Sequence, residues 1–182
     1  MIRTRRGSYL MSARSSLLET PLDERPPFLT IRVGTLKTEA ELRQSVLVGG
    51  CLIDIWGNDM MKQHAFTAGI AQVEEDVDFI IASADELGYP DGCDRAQALE
   101  AGLRMGWRPC LPSDGPEIRR NLNEEVGEWS ILAMDSIMCS DGCLRVFFVA
   151  HHDRGLIMDG YDCDSGNILF WRGACLWMFR SN

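Results

Sequence analysis

Most of the sequence signatures that announce a chemistry are missing from this chain. It has no Walker A loop, no GxSxG elbow and no GxGxxG turn. These are the patterns that cradle phosphate, expose a nucleophilic serine or bind a dinucleotide. HExxH is also absent, and histidine occurs only at His64, His151 and His152. Seven cysteines are present, an odd number with no CxxC pair, so neither a zinc ribbon nor a disulfide framework is indicated. They read as small buried hydrophobes in a reducing cytoplasm, with Cys139 and Cys143 close enough across a turn to be compared as a pair. No apolar run approaches the ~20 residues of a membrane span. Positive charge is scarce: of 18 basic residues only Lys37 and Lys62 are lysine, and the net charge is −9. Residues 1–26 carry five arginines and three acids, so they hold +2 and the rest holds −11. An acidic body excludes broad nucleic-acid binding, which needs clustered cations on one face.

What is there has the organisation of a globular protein. "MIRTRRGSYLMSARSSLL" is rich in Arg and Ser and has no acid before Glu19, as a transit peptide would be. The plainer expectation is a flexible tail over 1–26, closed by the prolines of "DERPP". "FLTIRV" predicts a strand, and "TEAELRQSVLVGG" a helix opened by a Thr38/Glu41 capping box and stopped by Gly49-Gly50. The helix should carry an apolar stripe of Leu42, Val46 and Leu47. "CLIDIWGNDMM" predicts a second helix with Ile53, Trp56 and Met60 on one side, and "VDFIIAS" a strand. "DRAQALEAGLRMG" (94–106) predicts a helix with Ala96, Leu99 and Leu103 inward. "RPCLPSDGP" reads as loop, and "PEIRRNL" as one or two helical turns with Pro116 at the first position. From Glu128 onward strands dominate: "EWSILAMDSI", "CLRVFFVA", "GLIMDGY" and "ACLWMFRS", the first two joined through the hairpin signal Asp141-Gly142. These strands are apolar on both faces, so the sheet needs cover on both sides, by the leading segment, a second copy or a partner.

Candidate sites follow from residue type and position. "FFVAHHDRG" places His151, His152 and Asp153 where a strand becomes a loop, a position open to metal binding or proton transfer. Neighbouring residues on a strand point to opposite faces, however, and a solvated turn explains the trio more simply. "DGYDCDSGNI" resembles the start of a calcium loop through Asp162 and Asp164, but glycine falls one place early and the twelfth position is Gly173. No metal or cofactor is therefore expected. Asp135 interrupts an apolar strand and is read either as a buried acid or, preferably, as the strand's end. Arg119 and Arg120 could grip an anion, and Trp107 and Trp171 lie near loops where a ring could stack on a ligand.

From Phe28 to its end the chain resembles a family of uncharacterised bacterial proteins. The resemblance rests on "IRVGTLKTEAELRQSV", "DIWGNDMMKQHAFT", "ELGYPDGCDRAQALEAGLRMG", "GPEIRRNL", "GEWSILAM", "DGCLRVFFV" and "LWMFR". The family carries "CPAEVGP" where this chain has "PCLPSDGP", and the two adjacent histidines fall outside its pattern. It implies two modules with a boundary near Val73 to Asp76, and it implies no activity. The expected protein is thus α+β, with short helices and a C-terminal antiparallel, meander-like sheet of about four strands. Its parts are a tail (1–26), a small α/β leading module (27–75) and a helix-plus-sheet module (76–182). The function expected is a non-enzymatic cytoplasmic binding or assembly module with a protein partner or a homodimer. The alternative is a small hydrolase using Asp135, His151, His152 and the acidic 159–164 loop.

Overall fold

A computed structural model describes residues 17–163 and 176–181. The alternation in "LTIRV" and "EDVDFIIAS" becomes β1 (Leu29–Val33) and β3 (Glu75–Ser83), which pair antiparallel with Ile31 opposite Val77. Between them lie α1 (Glu39–Val48), β2 (Leu52–Ile53), α2 (Ile55–Lys62) and α3 (His64–Ala68). The Thr38/Glu41 capping box opens α1, and Leu42 and Val46 are buried on its inner face, while Leu47 is half exposed. "CLIDIWGNDMM" is not a continuous helix. Asp54 accepts the Ile55 N–H and starts α2 there, after Leu52 and Ile53 have joined the sheet.

α4 (Arg95–Arg104) and α5 (Asp114–Asn121) follow, then β4 (Trp129–Leu132), β5 (Ile137–Met138), β6 (Leu144–His152), β7 (Gly155–Asp162) and β8 (Leu176–Arg180). The expected α+β class holds, but the four-stranded antiparallel meander does not. Among the described residues, eight strands form one mixed sheet in the order β1-β3-β8-β4-β6-β7-β2, with β5 also on β6. β8 does not continue outward from β7. It inserts between β3 and β4, antiparallel to the first and parallel to the second. Segments 27–75 and 76–182 meet in this sheet, since β1 pairs with β3 and β2 with β7. Such pairings join residues far apart in sequence, and a strand's own pattern does not name its neighbour.

Both faces of the sheet's centre are covered from within the chain. Trp177 and Phe179 face α4, which presents Ala98, Ala101 and Gly102. This corrects the expected inward stripe, for Ala96 and Leu103 are exposed and Leu99 is only partly buried. The smallest side chains face the sheet because a large ring already fills the gap: a Cβ on Gly102 would collide with Phe179, which also packs 5.2 Å from Trp107. On the other face the leading helices contribute Phe66, edge-on to Phe147 at 5.9 Å. The β5–β6 turn forms at the predicted Asp141-Gly142, where glycine accommodates φ +82 at no steric cost.

The expected tail reaches too far into the fold. Leu17, Leu18 and Leu22 pack against the core, and Arg25 is buried, donating to the Ile81 and Thr20 carbonyls and pairing with Glu86. Residues 1–16 lie outside those described. Among the described residues, no helix is long and apolar enough to cross a membrane.

The contact between α4 and β8 makes a stability prediction. Gly102→Ala should destabilise the fold by about 1–3 kcal/mol through overpacking, despite alanine's better helix propensity. Urea denaturation reads this, and adding Phe179→Leu should recover part of the loss. An unchanged midpoint would show that the ring moves aside freely.

Candidate functional site

α5 is an unusual helix, because its polar residues point inward. Asp114, Gly115, Pro116, Glu117, Ile118 and Arg119 are all buried. Pro116 stands at its third position, and the segment read as loop supplies its first turn. Asp114 accepts two hydrogen bonds from the Arg180 guanidinium on β8, at 2.7 and 2.6 Å, and one from the Leu111 N–H at 2.7 Å. Arg180 reaches on to Glu75 at 2.9 Å.

Arg119, expected as an anion grip, is consumed by the fold. Its side chain and that of Glu124 are both 0 % exposed, and they pair at 2.7 Å. The same guanidinium donates to the carbonyls of Ala150 (3.2 Å), Ile157 (3.3 Å) and Leu122, tying α5 to β6 and β7. A bidentate-capable, planar cation suits this place because it can serve several carbonyls and a carboxylate together. Arg120 points the other way and pairs with Glu117 at 2.6 Å. Glu117 is held above the usual carboxylate range, because burial outweighs the nearby Arg120.

The two adjacent histidines end β6 and diverge. His151 turns toward the segment after α5, where its Nδ1 lies 2.6 Å from the Glu124 carbonyl. His152, on the opposite face, is exposed. With Val126, Gly127, Asp153 and Arg154 they line an open depression of about 280 Å³. Arg154 leans from it to Asp54 at 3.4 Å. Among the described residues, no three His, Cys, Asp or Glu groups gather as metal ligands would.

The other candidates are elsewhere. Asp135 is 96 % exposed and lies 3.8 Å from Arg95, so it marks the strand's end and is no buried acid. Flanking residues pair with Phe148 on one side and Arg145 on the other. That places Asp135 three to six residues along β6 from His151, roughly 10–20 Å at strand rise. Residues 159–162, read as an acidic loop, belong to β7, and Asp162 pairs with Arg145, again roughly 20 Å from His151 along the strand. Asp159 is half-buried, accepts the Gly57 N–H at 2.7 Å, and is raised by burial. Asp164 and Trp171 lie outside the described residues. Trp107 packs on Phe179 and is partly covered.

Cys51, Cys93, Cys110, Cys139 and Cys143 are free of disulfides. Burial pushes the Cys93 thiol up to about 11 and Cys110 well above its ordinary value, so both stay protonated and poorly nucleophilic.

Sequence reasoning missed a different feature, the unequal edges of the sheet. β2 closes one edge with only two residues, and its Ile53 carbonyl is occupied by the Asn58 amide at 2.7 Å. β1 closes the other with five. The Ser181 N–H bonds the Asp78 carbonyl, so even-numbered residues of β3 serve β8 and odd-numbered ones serve β1. In an antiparallel ladder that pairs Leu29, Ile31 and Val33 inward and turns the backbone of Thr30 and Arg32 outward. Those outward N–H and C=O groups have no hydrogen-bond partner among the described residues. Strand alternation alone could have found β1; only the sheet order shows that it is an edge.

No family model, curated protein or solved structure matches this chain.

The buried pair yields a test. Arg119→Met should cost about 3–5 kcal/mol, because Glu124 would remain buried without its cation. Adding Glu124→Leu should return a substantial part of that in the same denaturation experiment. A silent Arg119→Met would mean that water reaches Glu124.

Proposed function

We propose that this protein is a non-enzymatic binding or assembly module, working in a bacterial cytoplasm. The observation that carries the reading is the dispersal of its reactive groups. Asp135 and Asp162 lie toward one end of β6 and the histidines at the other. His151 is engaged by a backbone carbonyl, and the two rings face apart. General acid–base work requires each group within hydrogen-bond reach of the proton it transfers, and this spacing does not bring Asp135 or Asp162 to one small substrate with the histidines.

Surface features support binding. Leu47, Val48, Leu52 and Ile55 are all substantially exposed, Val48 at 75 % and Ile55 at 72 %. They fall within a short stretch held together by the Cys51 N–H to Val46 carbonyl bond. A group of large apolar residues on a surface marks a contact site more often than an isolated one does. The free thiols of Cys51, Cys93, Cys110, Cys139 and Cys143 agree with a reducing compartment.

The test is paired. Purified chain, assayed against ester, phosphoester and peptide substrates, should give no turnover that His152→Ala or Asp135→Asn removes. From its native host it should co-purify with a stoichiometric protein partner that stays bound through gel filtration. Turnover lost in either variant would overturn the reading in favour of a hydrolase.

A further inference from the structure

The open edge of β1 carries a charge pattern as well as unpaired backbone. Thr30 and Arg32 project to the same face of the sheet as Asp76 and Asp78, their partners across the β1–β3 ladder. The Thr30 hydroxyl donates to Asp78 at 2.6 Å, and Arg32 pairs with Glu74 at 3.2 Å and Asp76 at 3.5 Å. Among the described residues three carboxylates therefore face one guanidinium, and this rim of the sheet carries a local excess of negative charge beside exposed N–H and C=O groups. The opposite face of β1 is apolar and covered, with Ile31 and Val33 buried.

Edge strands usually avoid new partners by being short, bulged, proline-bearing or covered. The β2 edge follows that pattern, with two residues and a capped carbonyl. β1 does not: it has five residues and no proline, and the backbone of Thr30 and Arg32 is unpaired among the described residues. An extended peptide laid antiparallel against it could exchange four hydrogen bonds with Thr30 and Arg32, two at each. Alternate side chains of that peptide would fall on the acidic face beside Thr30 and Arg32. A second copy of the chain is disfavoured as occupant, because β1 against β1 would bring two acidic rims together, within a body already at −11 beyond residue 26 (−9 overall less +2).

We infer that β1 is a strand-addition site for an extended cationic peptide segment, with lysine or arginine at alternate positions. The inference rests on the binding-module reading and names its surface and partner chemistry. Backbone pairing supplies the affinity, and the Glu74/Asp76/Asp78 row selects the charge.

Three fluorescein-labelled seven-residue peptides test it by anisotropy at moderate salt: one alternating lysine with valine, one with glutamate for lysine, and one lysine peptide with a central proline. The lysine peptide should bind at least tenfold more tightly than either of the others. The proline control has the same charge, so equal binding by it would mean bulk attraction alone and would overturn the inference. On the protein, Arg32→Pro deletes one outward N–H while leaving the backbone bonds to β3 intact, and by removing the pairs with Glu74 and Asp76 it makes the rim more acidic. It should nevertheless lose at least tenfold in affinity, with an unchanged circular dichroism spectrum. Asp78→Asn, a milder variant that keeps the backbone edge, should weaken the lysine peptide and leave a threonine-valine peptide unaffected. Retained binding by folded Arg32→Pro overturns the proposal, as does self-association of the free chain that Arg32→Pro abolishes. A native partner that remains bound to Arg32→Pro would leave the binding-module reading standing and remove β1 as its site.

Discussion

Six consecutive residues of α5, from Asp114 to Arg119, are buried, and three of them are ionisable. An unpaired ion in a protein interior costs several kcal/mol, so a helix of this kind is stable only where its partners are already in place. Glu124 comes from the segment just after the helix, but the other partners are distant in the chain: Arg180 from β8, and the carbonyls of Ala150 and Ile157 from β6 and β7. α5 thus fixes the relative positions of β6, β7 and β8. The order of the sheet and the burial of the helix depend on each other.

That dependence shapes the surface. Because β8 is drawn in beside β3 by Arg180, β1 is left as the outermost strand on that side. Because β7 is tied to α5 through Ile157, and to α2 through the Asp159 carboxylate and the Gly57 N–H, its outer side takes the short β2. Among the described residues, one edge is therefore blunt and the other open. The residues that would have made the most conventional active site, the adjacent histidines, are absorbed into the same scaffold: His151 lies against Glu124, whose side chain neutralises Arg119.

Local structure was legible where local chemistry dictates it. The Thr38/Glu41 box and the Asp141-Gly142 hairpin both depend on atoms a few residues apart, and both formed as read. The inward face of α4 was misread because periodicity points to the large residues, whereas the space beside Phe179 admits only Ala98, Ala101 and Gly102. The helical turns expected in "PEIRRNL" formed, but they begin two residues earlier, at Asp114, and are buried through Arg119. The segment's composition is that of a solvated turn, and nothing within it announces that Arg180 and Glu124 will meet its charges. The candidate site fared similarly: the divergence of His151 and His152 follows from strand alternation, but the distance to Asp135 and Asp162 needed the ladder register.

The sequence by itself determined the class of elements, most of their ends, the acidic balance of the body and the need for a sheet covered on both faces. These depend on backbone preferences, side-chain alternation and summed charge, which are properties of short segments or of composition. Only the tertiary structure decided which strand lies beside which, that β8 enters the middle of the sheet, that Arg119 is a buried tie instead of a surface anion grip, and that β1 presents an open, acidic edge. Most of these are pairings between residues tens of positions apart, chosen by the requirement that buried charges and backbone groups find partners together.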